Sequence, residues 1–190
     1  MAIASSSLAY RRSALMTATK VTVKPPSPEV LRARDDFKDF CVFMGKPPAN
    51  HMLEWHNELC TGEDSEVLMG VGGPNTAILA PRGSAKSTVL GLFAAWMIGR
   101  HTAAQKMLRI LYIAYMVDIS RAKSATIKGI LTSNKYREIF PMVRLSKIKR
   151  SDEYWSIDYD FAGIDTAGEE AFTIACGGLK GAITSKRSQL

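Results

Sequence analysis

Apolar residues follow two spacings along this chain, and the alternation of the two predicts an α/β protein. From Ser27 to about Met44 the residues Leu31, Phe37, Phe40, Cys41 and Met44 give one apolar helix face. Ser27 is a candidate N-cap, Pro28 stands at the first helical position, and Gly45 and Pro47-Pro48 end the helix. A second helix is expected from Asn50 to Cys60, with Leu53, Trp55, His56 and Leu59 on its packing side. Thr61 to Pro74 then reads as a turn-rich connection. Thr76 to Ala80 is short, apolar and closed by Pro81, as a buried strand would be, and Ser84 to Ile98 reads as a helix burying Leu90, Leu92, Phe93, Trp96 and Met97. Met107 to Tyr115 has the near-continuous β-favouring composition of a central parallel strand, and Asp118 to Ser133 suits the helix after it. Glu153 to Tyr159 and Ala171 to Cys176 read as two strands of a β-hairpin before the loop Gly177 to Gly181.

Between the first expected strand and its helix lies Pro81-Arg82-Gly83-Ser84-Ala85-Lys86-Ser87-Thr88. A loop that cradles a triphosphate needs small residues so that backbone N–H groups can approach oxygen atoms. It also needs a lysine for the β- and γ-phosphates and a hydroxyl for Mg²⁺. Gly83, Ser84 and Ala85 supply the first, Lys86 the second and Ser87 the third. Against the pattern GxxxxGK[ST], Ala80 stands at the first glycine and Ala85 at the second, so any positive φ at those positions becomes costly.

The octapeptide resembles the variant phosphate loop, or Walker A motif, of the large terminase subunit of tailed bacteriophages, most closely that of short-tailed phages. The end of the chain, Gly181 to Leu190, resembles the stretch in which a glycine, a Thr-Gly pair and an arginine lead into the Walker B strand, with Gly181, Thr184 and Arg187 at those positions. Ser185 stands where a glycine is usual and Gln189 where an aspartate is usual. The resemblance implies an ASCE-type P-loop NTPase core: an open, mainly parallel sheet flanked by helices, incomplete at the C-terminus. It implies ATP and Mg²⁺ as cofactors, with Pro81 to Thr88 around the nucleotide, Lys86 on the β/γ-phosphates, Ser87 on the metal and Arg82 aimed at the γ-phosphate. The Walker B acid, the catalytic glutamate and the nuclease residues would follow Arg187. Glu169 and Glu170, in a glycine-flanked turn before a strand, are poor substitutes. Implied partners are double-stranded DNA, the portal ring, the small terminase subunit and a complementary chain carrying Walker B and the nuclease. Implied localisation is the host cytoplasm, transiently at the procapsid portal.

Composition bounds these readings. With 46% hydrophobic and 23% charged residues the chain is neither wholly disordered nor fibrous, and the net charge of +7 favours a polyanionic partner. Basic residues heavily outnumber acidic ones from Arg121 to Arg150, a candidate phosphate-tracking surface or a solvated face. Residues 1–26 contain no acidic side chain and read as a flexible basic arm, 27–74 as a helical lead-in and 75–190 as the nucleotide domain. Cys41, Cys60 and Cys176 lie far apart and read as buried or free thiols, and His51, His56 and His101 lack metal-ligand spacing. Val89 to Ile98 is too short to span a membrane. Two other readings stand beside the terminase: another P-loop motor or helicase, and a module that docks on DNA or a portal without turning over ATP.

Overall fold

The computed structural model describes residues 25–59, 77–166, 168 and 171–179. The expected strand residue Thr76, the connection 61–74, Cys60, Glu169, Glu170 and the loop residues Gly181, Thr184 and Arg187 lie outside them. The N-terminal helix begins as its sequence requires: the Val30 amide donates to Ser27 Oγ at 3.4 Å, and Pro28 and Glu29 open the first turn of α1 (Pro28–Asp35). It does not run through to Met44. Asp36 takes an extended conformation (φ −118°, ψ 128°), and its carboxylate accepts from the Asp39 amide at 2.8 Å, so it starts a new helix, α2 (Phe37–Phe43). A self-capping aspartate competes with helix continuation. The break leaves Leu31 45% exposed, while Val30, Ala33, Phe37, Phe40 and Cys41 are buried. The elements that follow are α3 (Asn50–Leu59), α4 (Lys86–Ala103), β1 (Ile110–Ala114), α5 (Val117–Thr132), α6 (Asn134–Ile139), β2 (Leu145–Arg150), β3 (Tyr154–Ile157), α7 (Tyr159–Ala162) and β4 (Ile174–Gly178).

The molecule is α/β with an open, mixed four-stranded sheet in the order β1-β4-β3-β2, flanked by helices. The expectation of a mainly parallel sheet is corrected. Only β1 and β4 are parallel, with Ile110 opposite Ile174 and Ala114 opposite Gly178, while β4 with β3 and β3 with β2 are antiparallel. The β2–β3 connection explains this, because a three-residue turn allows only an antiparallel return. In that turn Ser151 Oγ donates to Tyr154 O at 2.9 Å and also accepts from the Tyr154 amide at 2.9 Å. The two expected late strands are antiparallel neighbours, with α7 between them.

Two further expectations are corrected. The run 107–115 forms an edge strand rather than a central one, since among the described residues β1 pairs with β4 alone. Its expected neighbour, the apolar run ending at Ala80, joins no ladder over residues 77–80, and Leu79 is 95% exposed. A strand buries its apolar residues only when something covers them, so apolarity alone did not place this one in the sheet.

Helix α5 packs against β1, β4 and β2 and also against α4, and α4 in turn meets α1, α2 and α3. This explains why α4 is apolar nearly all round, with Val89, Leu92, Phe93, Ala95, Trp96, Met97 and Ile98 buried. Two buried polar contacts tie it to α1 and α6, Trp96 Nε1 donating to Ala33 O at 3.2 Å and Tyr136 Oη to Ala95 O at 2.8 Å, and a third ties β3 to α5, Trp155 Nε1 donating to Ser124 Oγ at 2.6 Å. Among the described residues no helix is long and apolar enough to cross a membrane.

Candidate functional site

Pro81 to Ala85 form a tight turn that delivers the chain into α4. Ser84 Oγ donates to Pro81 O at 2.8 Å and closes the turn from within. Gly83 sits at φ +87° with nothing within 4 Å of where a Cβ would be. Ala85 is also left-handed, at φ 58° and ψ 17°. A non-glycine residue held there is strained, and such strain clusters where backbone is shaped for a ligand. The cost anticipated for alanine at this position is therefore present.

Ala85 is the N-cap of an 18-residue helix and provides no side-chain cap. The Thr88 amide already donates to Ala85 O at 2.9 Å, whereas the first two amides of a helix have no partner within it, and the aligned peptide dipoles add partial positive charge at this end. Lys86 is half-buried on the first helical position, Ser87 and Thr88 are exposed on the first turn, and Arg82 is exposed on the loop. All eight residues from Pro81 to Thr88 are thus described and contiguous around one uncapped helix start. What the arrangement can do chemically is accept an anion: backbone donors, a lysine, a hydroxyl and an exposed guanidinium lie within seven residues at one helix start.

The sequence did not reveal which other elements surround this turn. His51, at the start of α3, places Nε2 3.4 Å from Ser84 O; the carbonyl can only accept, so Nε2 carries the proton in this contact. Behind the helix start, Ser87 and Thr88 line a cavity of about 290 Å³ together with Tyr112 of β1, Lys123 and Thr126 of α5 and Lys46. Burial raises the Tyr112 phenol above its ordinary pKa, with the nearby Cys176 thiol adding to the shift, so this wall presents a neutral hydroxyl at physiological pH. Nothing in the one-dimensional pattern joins His51 or Lys123 to the loop. Only the packing of α3 and α5 beside α4 does so.

The ends of β1 and β4 are held tightly together. Leu179 donates its amide to Ala114 O at 3.0 Å, and Ser120 Oγ donates to Gly177 O at 3.1 Å. A Cβ on Gly178 would lie 3.0 Å from the Val117 nitrogen, so glycine is what lets α5 start this close to the sheet.

The basic run 121–150 does not make one continuous surface. Arg121 is paired with Asp118 at 3.0 Å and Glu153 at 2.9 Å, and Lys128 with Asp152 at 2.8 Å. Lys123 faces the cavity behind the loop, and Arg137, Arg144, Lys149 and Arg150 line a separate one. Cys41 and Cys176 are buried thiols, and burial pushes Cys41 up to about 12, with Asp36 adding to the shift.

Among the described residues no group of three or more His, Cys, Asp or Glu side chains is placed to hold a metal ion. Ser87 offers one hydroxyl, a donor set that suits Mg²⁺ only when phosphate oxygens of a bound nucleotide complete the shell. The chain matches no protein-family model, no curated protein and no solved structure.

Proposed function

We propose that this chain is the nucleotide-binding part of a large terminase subunit, an ASCE-type P-loop ATPase that couples ATP hydrolysis to movement of double-stranded DNA into a procapsid. The observation that carries the reading is the conformation of Ala85. A left-handed alanine immediately before Lys86, at the uncapped start of a long helix, is the backbone shape that the second glycine of a phosphate loop adopts. Gln105, in the turn after α4, is also left-handed (φ 55°), but Ala85 differs in standing at an uncapped helix start directly before a lysine, where a loop shaped for phosphates needs that backbone. The octapeptide's resemblance to the terminase loop supplies the motor and its partners, namely DNA, the portal ring and the small subunit.

In this reading Lys86 neutralises the β- and γ-phosphates, and the amides of Gly83 to Ser87 hold phosphate oxygens. Arg82, exposed on the loop, swings to the γ-phosphate and is released by its loss. Ser87 would hold Mg²⁺, which supplies charge neutralisation when nucleotide is bound. The acid that organises the metal and the carboxylate that polarises water are left to residues outside the loop.

Amide hydrogen exchange tests this at the site itself. Mg²⁺-ATP should slow exchange at Gly83 to Ser87 in the wild-type chain and leave the Lys86→Ala chain unchanged. Unaltered exchange at these amides under saturating ATP would remove the assignment.

A further inference from the structure

Five of the nine basic residues from Arg121 to Arg150 converge far from the nucleotide loop in sequence, around a cavity of about 740 Å³ lined by Lys128, Arg137, Arg144, Lys149, Arg150 and Trp155. They come from α5, α6, the 140–144 connection and β2, and among the described residues no carboxylate lines the cavity with them. Its size falls well inside the range of small-ligand sites. Two of the five cations serve the chain itself. Lys128 Nζ donates to Arg150 O at 2.9 Å, Ser151 O at 2.8 Å and Asp152 Oδ1 at 2.8 Å, and Lys149 Nζ donates to Ala171 O at 2.8 Å. These bonds pin β2 and the β2–β3 turn in place and so fix the cavity wall.

The three arginines are differently placed. Arg137 is exposed, and while its amide donates to Ser133 O at 3.1 Å, its guanidinium makes no hydrogen bond or ion pair among the described residues. Arg150 uses only Nε, to Ser146 O at 2.9 Å, among those residues. Arg144 lays its guanidinium over the Phe161 ring, 3.6 Å from the centroid, and is itself exposed. A guanidinium plane stacked on an aromatic ring is a ready platform for a nucleobase, and two further guanidinium groups nearby suit the phosphates on either side of it. The wall is concave, so a splayed single strand can enter where the convex face of a duplex cannot.

We propose that this cavity binds a single-stranded nucleic-acid segment, with Arg137 and Arg150 on its phosphates and a base stacked on Arg144. The site is separate from the nucleotide loop and does not depend on the reading of Lys86.

Fluorescence anisotropy with a labelled 12-nucleotide oligothymidylate tests it on the full chain. Each phosphate contact to a single strand contributes a slope of about 0.7 in log K against log salt, so losing the Arg137 and Arg150 contacts lowers the slope by about 1.4 and weakens binding about 25-fold at 0.1 M salt, with the lost stacking on Arg144 adding to the weakening. The triple variant Arg137→Gln/Arg144→Gln/Arg150→Gln should show both effects, and Lys86→Ala neither. Arg137→Glu alone, a change at an exposed position, should also weaken binding and keeps the test valid if the triple variant misfolds by circular dichroism. Wild-type affinity in these arginine variants overturns the proposal. A duplex of equal length bound more tightly through the same arginines overturns the single-strand assignment. Tripolyphosphate competing as well as the oligonucleotide, phosphate for phosphate, overturns the base contact.

Discussion

Replacing Ala85 by glycine removes a Cβ from a residue at φ 58° and ψ 17°. For an L-residue the left-handed conformation costs about 1–2 kcal/mol, which glycine does not incur. Glycine also loosens the unfolded chain, at a cost of about 0.4–1 kcal/mol. The difference predicts that Ala85→Gly stabilises the fold by about 1 kcal/mol, a rise of about 2–4 °C in Tm for a chain of this size. Ala85→Val moves the opposite way, because a β-branched side chain is a steric outlier at this φ. Urea denaturation at fixed pH, with the two variants and wild type measured side by side, reads both shifts as changes in midpoint at constant slope. Ala85→Gly should also retain nucleotide binding, since it restores the residue the loop pattern favours. An unchanged or lowered midpoint for Ala85→Gly, together with a neutral Ala85→Val, would refute the claim that Ala85 is strained.

Gly99→Ala should destabilise the chain by about 1–3 kcal/mol, read by the same denaturation. A Cβ there would overlap the buried Phe140 ring, which has no room to retreat beside Phe40 and Tyr136. Stability should also fall with acid through His101, which is 2% exposed with neither ring nitrogen hydrogen-bonded among the described residues. Burial, aided by Lys106 and Arg100, lowers its pKa from 6.5 to about 4, so the unfolded chain binds the proton more readily. The contribution is intact above pH 6.5 and is lost as pH falls toward 4, about 2 kcal/mol of it by pH 5. Burial lowers His56 in the same direction. His101→Leu should flatten this part of the stability–pH curve, and an unchanged slope in that variant would clear His101 of the effect.

Local signals read well in this sequence because their causes are local. Ser27, Pro28 and Glu29 start a helix where they should, and α5 follows its apolar spacing within a residue at each end; of the two alanines at glycine positions of the loop pattern, Ala85 takes a positive φ and Ala80 does not. What was not legible depends on neighbours. Asp36 split the first helix by capping its own successor. Leu145–Arg150 has no period-two alternation, its burial is irregular and Ile148 is 92% exposed, so β2 went unread as a strand. Strand order could not be inferred from strand composition, and among the described residues Ile110–Ala114, apolar enough for a central strand, lies at the edge. At the candidate site the loop itself was legible from eight consecutive residues. The approach of His51 and the wall formed by Tyr112 and Lys123 arise only from tertiary packing.

The most direct measurement is calorimetric titration of Mg²⁺-ATP into the purified chain and into Lys86→Ala. Saturable binding to the wild-type chain, stronger for ATP than for AMP and abolished by Lys86→Ala, is the predicted result, because the lysine and the loop amides act on the phosphates. Equal affinity in both proteins, or no binding to either, would contradict a phosphate loop at Pro81 to Thr88.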